Sequence, residues 1–98
     1  MTIEIKRHAD EITIEVVGRL DTTTAPALDK TISEDVADTQ RLTLDLQGLE
    51  YISSAGLRVL LSAQKKLRRN GALTVKNVRA EVMEILEMTG FADILTIE

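Results

Sequence analysis

The chain has 98 residues, 44% hydrophobic and 29% charged, which fits one globular, soluble unit spanning 1–98 rather than a disordered segment. A net charge of −4 and only two aromatic residues, Tyr51 and Phe91, argue against a nucleic-acid partner. The lack of cysteine excludes disulfides, thiolate nucleophiles and cysteine-based zinc sites, a single histidine excludes most histidine metal clusters, and no apolar run nears the ~20 residues that cross a bilayer.

The first elements read as two strands. Ile3 and Ile5 alternate with Glu4 and Lys6, and Ile12, Ile14 and Val16 alternate with Thr13 and Glu15. A turn at His8, Ala9 and Asp10 joins them as a hairpin, with His8 a solvated loop residue. Gly18-Arg19-Leu20-Asp21 ends the second strand, and Thr22-Thr23-Thr24 leads into a helix opened by Ala25-Pro26. Ala25, Leu28, Ile32 and Val36 form that helix's apolar stripe. Leu42, Leu44 and Leu46 predict a third strand over 41–46, with Asp45 turned away from them as a polar residue near an exposed edge.

Glu50-Tyr51-Ile52-Ser53-Ser54-Ala55-Gly56-Leu57 reads as the handover from that strand to a second helix. The second helix runs over 54–69, with Leu57, Leu60, Leu61 and Leu67 along one stripe and Lys65, Lys66, Arg68 and Arg69 at its negative end. Asn70-Gly71 supplies the stop. A fourth strand follows over 72–76, with Leu73 and Val75 inward. A third helix over 79–89 turns Val82, Ile85, Leu86 and Thr89 to one side, Met83 and Met88 filling core or flank positions. Gly90 closes it, Phe91 packs back, and 94–97 makes a short last strand. The expected architecture is an α/β mixed sheet with an N-terminal antiparallel hairpin and helices packed on the sheet.

The chemistry concentrates at the 53–57 turn. A hydroxyl at a helix start caps unpaired N–H groups, or carries a phosphate that this end of the helix favours. Asp21 reads as a loop or capping acid, or as a partner of the Ser53-Ser54 turn at a shared sheet edge. A serine nucleophile needs an oriented base, and His8 lies in a different turn. The stretch is not a Gly-x-Ser-x-Gly elbow, and no phosphate-binding loop is present. Catalysis is therefore not expected, although the same crevice leaves nucleotide binding open.

Taken together, three stretches resemble the STAS domain family, specifically its stand-alone anti-sigma factor antagonists. They are Gly18-Arg19-Leu20-Asp21 with Thr24-Ala25, then Leu44-Asp45-Leu46 through Tyr51-Ile52 to Ser53-Ser54-Ala55-Gly56-Leu57, and Met88-Thr89-Gly90-Phe91. The resemblance covers nearly all the chain. It implies a cytoplasmic, non-enzymatic partner switch without cofactor, metal, nucleic acid or membrane. The unphosphorylated form would bind an anti-sigma factor that is also a GHKL-type serine kinase, and a PP2C-like phosphatase would reverse the modification. Alignment on Gly56-Leu57 puts the phosphoacceptor at Ser54. Ser53 stands where the family usually has an aspartate, which makes it the alternative acceptor. The implied partner surface is Asp21, Thr22, Thr23, Thr24, Ser53, Ser54, Ala55, Gly56, Leu57 and Arg58. The alternatives are a STAS scaffold serving a non-sigma output and a nucleotide-binding domain.

Overall fold

The computed structural model describes residues 1–36, 40–67 and 72–98. The expected helix end at Arg68 and Arg69 and its stop at Asn70-Gly71 lie outside the described residues. Elements follow in the order β1 (Thr2–His8), β2 (Glu11–Leu20), α1 (Ala25–Asp35), β3 (Arg41–Asp45), β4 (Leu49–Ile52), α2 (Ser54–Leu67), β5 (Ala72–Lys76) and α3 (Ala80–Met88). A short 3-10 turn covers Phe91–Asp93. The sheet runs β1-β2-β3-β5, with β4 also on β2. Among the described residues only the β1–β2 hairpin is antiparallel. Its two-residue turn places Ala9 at φ +55°, the left-handed backbone such tight connections demand.

The strands share one register, and that register explains the core. Ile14 pairs with Leu44 and Leu44 with Val75, while Ile12, Leu42 and Leu73 form the row beside them. All six are buried. The period of two turns Thr13, Thr43 and Thr74 to the opposite face, which the helices leave open. Against the apolar face sit Leu28 and Ile32 of α1, Leu57, Leu60, Ala63 and Leu67 of α2, and Val82 and Leu86 of α3.

Two cations hold the end of α1 from outside the helix. Its last turn contains Glu34 and Asp35 and no base, the reverse of what the helix dipole favours. Lys66 of α2 donates to the carbonyls of Ile32 (3.2 Å) and Val36 (2.9 Å). Arg7 of β1 donates to the Asp35 carbonyl and pairs with its carboxylate at 3.2 Å. Lys66 stands in the last turn of α2, as the sequence predicts, and from there reaches across to α1.

Four expectations change. The stretch before Ser53 is not a simple handover: Leu49–Ile52 forms its own strand, β4, because Leu49 and Ile52 reach the core while pairing with β2. The last strand over 94–97 reduces to a single bridge between Ile97 and Val75, preceded by the 3-10 turn, and Ile94 is 44% exposed. Met88 is 80% exposed and Thr89 is exposed, because α3 buries only Val82 and Leu86. Asp45 does face away from Leu44 and Leu46, but β3 is an interior strand, so Asp45 lies on the open face rather than at an edge. Gly90 closes α3 as expected, at φ +82°.

Candidate functional site

The site lies where β2 and β4 end side by side. They are parallel, with Leu20 paired to Ile52, so the segments that follow them emerge at the same edge of the sheet. The Ser53 N–H donates to the Leu20 carbonyl at 2.9 Å and joins the two segments directly. This single bond brings the 21–24 loop beside the 53–57 turn, as the functional reading of Asp21 required. Ligand crevices of open α/β sheets form at this kind of strand end.

The 21–24 loop is folded around the Asp21 carboxylate. Its Oδ1 accepts from the Thr23 hydroxyl (2.8 Å), the Thr23 N–H (3.0 Å) and the Thr24 N–H (3.2 Å). The Thr24 hydroxyl accepts from the Asp21 N–H and donates to the Arg19 carbonyl, both at 2.8 Å. Asp21 is therefore the acid that caps the turn into α1. The Thr23 hydroxyl bond, helped by the Thr23 and Thr24 N–H groups, lowers the Asp21 pKa below the usual carboxylate range.

A depressed native pKa means that the unfolded chain binds the proton more readily. The loop's contribution is thus complete above the ordinary aspartate value of ~3.9 and lost as pH falls through the lower native value. The Thr23 and Thr24 amide resonances should hold steady from about pH 8 to pH 4 and then shift together below it. In Asp21→Asn that acid transition should vanish; its persistence would show that another group controls the loop.

The two serines take different places. Ser53 is the N-cap of α2: its Oγ accepts from the Gly56 N–H at 3.4 Å, and its carbonyl accepts from the Leu57 N–H at 2.9 Å. Ser54 is the first helical residue and is exposed, its hydroxyl free of intrachain hydrogen bonds among the described residues. Capping and exposure, which the sequence left as competing readings of both serines, are divided between them. Arg58, one helical turn on, is exposed on the same side.

The remaining residues of the turn point inward. A Cβ on Gly56 would stand 2.8 Å from Ile52 Cγ1 and from Leu20 Cγ, so α2 starts in direct contact with both strand ends. Leu57 is only 7% exposed and belongs to the core, and Ala55 is partly buried against it. The outward members of the predicted surface are Thr22, Thr23, Ser54 and Arg58.

Two neighbours of the site were not singled out from the sequence. The Arg19 guanidinium lies over the Tyr51 ring, 4.3 Å from its centroid, with its Nε 4.0 Å from Asp21 Oδ2. Arg19 and Tyr51 are register partners, a fact hidden until β4 is recognised as a strand. His8 closes the hairpin at the opposite end of β2. Nine residues of strand at ~3.3 Å each separate that end from Leu20, so His8 cannot act as a base for Ser54. Among the described residues, no group of three or more His, Asp or Glu could hold a metal ion. No helix of the described residues is long and apolar enough to cross a membrane.

Comparison with known proteins gives the chain a family. The STAS domain family model matches residues 2–98. The chain belongs to the STAS domain family. An anti-sigma-B factor antagonist of Listeria monocytogenes is 35% identical over 101 residues, covering 100% of this chain and 89% of that protein. A solved anti-sigma factor antagonist from Mycobacterium paratuberculosis superposes with a TM-score of 0.87 at 28% identity, over 98% of this chain and 83% of its own. SpoIIAA, an anti-sigma factor antagonist solved in its unphosphorylated form, superposes with a TM-score of 0.80 over 99% of this chain and 88% of its own. Its identity of 15% makes that a likeness of fold. The opening hairpin, the mixed sheet and the helices packed on it are the fold shared with these structures.

Proposed function

We propose that this chain is an anti-sigma factor antagonist that works by partner switching in the cytoplasm, as one STAS unit over 1–98. In this reading the unphosphorylated form binds an anti-sigma factor that is also a GHKL-type serine kinase. That kinase phosphorylates Ser54, the complex separates, and a PP2C-like phosphatase restores the hydroxyl. The observation that carries the reading is the exposed Ser54 hydroxyl at the first residue of α2, beside the ordered 21–24 loop. Relatives named as anti-sigma factor antagonists along the whole chain support the same partner.

Phosphate adds roughly −1.5 to −2 charges. At a helix N-terminus that charge is stabilised by the dipole and the unpaired N–H groups. The domain therefore keeps its fold, and the modification acts on whatever rests against the turn. Ser53 is a poorer acceptor, because its hydroxyl is occupied as the cap.

The test is incubation with ATP and a GHKL-type serine kinase from the same organism, followed by mass-spectrometric mapping. Phosphate is expected on Ser54, absent from Ser54→Ala and retained in Ser53→Ala. Phosphate on Ser53 alone, or none at all, overturns the assignment of Ser54.

A further inference from the structure

We propose that β1 is a self-docking edge, along which two copies of this chain pair antiparallel about a two-fold axis at Ile5. The sheet's two outer strands differ in how they end. The Val75 N–H of β5 donates to the Thr96 carbonyl and the Glu98 N–H to the Val75 carbonyl, both at 2.8 Å, so the last residues bridge the outer side of that strand at Val75. Among the described residues nothing pairs with the outer side of β1. A strand in that state presents a ready row of donors and acceptors.

The register identifies those groups. The Asp10 carbonyl accepts from Arg41, and Gly18 and Leu20 bond to Gly48 and Ser53, so even-numbered positions of β2 turn their backbone toward β3 and β4. Glu11, Thr13 and Glu15 therefore turn theirs to β1, where they meet His8, Lys6 and Glu4. Ile3, Ile5 and Arg7 are left with N–H and C=O pointing outward.

Charge selects the second copy as the occupant and fixes the axis. About Ile5, Glu4 faces Lys6 of the second copy and Lys6 faces its Glu4, in the closer, non-hydrogen-bonded kind of pair. All of Thr2–His8 overlaps in this register. An axis at residue 4 sets Glu4 against Glu4, and one at residue 6 sets Lys6 against Lys6. Within its own chain Glu4 faces Glu15, whose carboxylate is already held by Lys6 at 2.8 Å. The second copy's Lys6, which also holds its own Glu15, adds a cation directly across from Glu4.

Pairing along one edge buries much less than the ~1,200–2,000 Å² of a stable interface, so the dimer is weak, with Kd on the order of 10–1,000 µM. The antiparallel arrangement sends the two 53–57 turns to opposite ends of the joined sheet and leaves both open. The inference does not depend on the partner-switching reading.

Sedimentation equilibrium from about 10 µM to about 1 mM at low salt tests it. The weight-average mass should climb from 10.8 kDa toward twice that value. Glu4→Lys should weaken association about tenfold or more by opposing like charges, and Glu4→Lys with Lys6→Glu should restore it. The double variant also puts a cation opposite Glu15, which preserves the monomer. A wild type that stays at 10.8 kDa throughout, or a Glu4→Lys variant that associates equally well, overturns the proposal. Amide exchange needs no variant: protection at Ile3, Ile5 and Arg7 should rise with concentration, and rates independent of concentration also overturn it.

Discussion

Ser54→Asp should weaken the complex with the proposed anti-sigma factor by roughly 30- to 1,000-fold, about 2–4 kcal/mol, while thermal stability stays equal or rises. The two halves of that expectation have separate causes. Ser54 is the first residue of α2 and is exposed, so a carboxylate there meets the favourable end of the helix dipole and displaces no core atom. The loss of binding comes from the partner, which must desolvate the new charge or set its own acidic or apolar surface against it. Ser54→Ala should bind as the wild type does, since its hydroxyl makes no intrachain bond among the described residues. Ser53→Ala should behave in the opposite way, losing the cap to Gly56 and about 0.5–2 kcal/mol of stability while binding persists. Isothermal calorimetry beside thermal melts separates these outcomes. If Ser54→Asp binds with wild-type affinity, the chain is a constitutive scaffold and the switch reading fails.

The second large effect is expected at Gly56. A methyl there would sit 2.8 Å from both Ile52 Cγ1 and Leu20 Cγ, closer than packed carbon atoms tolerate. Gly56→Ala should cost about 1–2 kcal/mol, overpacking of ~1–3 kcal/mol being partly offset by up to ~1 kcal/mol of helix propensity. Gly56→Val, with branching at the same point, should cost about 3 kcal/mol or more. For a domain of this size each kcal/mol lowers Tm by roughly 4–8 °C. Leu20→Ala alone should cost ~2–5 kcal/mol, since Leu20 is fully buried. Combined with Gly56→Ala it should cost less than the sum by about 0.5–3 kcal/mol, because the new methyl enters the space that the leucine leaves. Strict additivity in denaturant titrations would show that α2 does not rest on Leu20 as described. Because Leu20 also accepts from Ser53, these variants are expected to loosen the 21–24 loop along with the 53–57 turn.

Much of this architecture could be read from periodicity. Ile12, Ile14 and Val16 alternate cleanly, as do Leu42 with Leu44 and Leu73 with Val75, and all are buried on one face. The stripe of Ala25, Leu28, Ile32 and Val36 is likewise buried. β4 is not legible in the sequence, because four residues with two inward side chains give too short a pattern, and they abut the 53–57 turn. The same omission hid the Arg19–Tyr51 stack, which exists only because β4 lies against β2 in register. The Asp21 and Ser53-Ser54 segments were correctly expected at one edge, but nothing local says that Ser53 caps and Ser54 stands free. That division depends on the helix starting one residue later than the first hydroxyl. The last residues depart for another reason: Ile94 to Ile97 has strand composition, yet the segment meets β5 at Val75 alone, through the Thr96 carbonyl and the Glu98 N–H.

The cations at the end of α1 carry a consequence for the order in which the chain assembles. Glu34 and Asp35 put negative charge where a helix already has its negative pole, and the compensation comes from Arg7 and Lys66, far away along the chain. An 11-residue helix is also below the ~12–15 residues at which isolated helices persist in water. A peptide cut to residues 22–36 would thus lack both the length and the counterions to stay wound. Native α1 is a product of docking, completed once the first strand and the second helix have come to meet it.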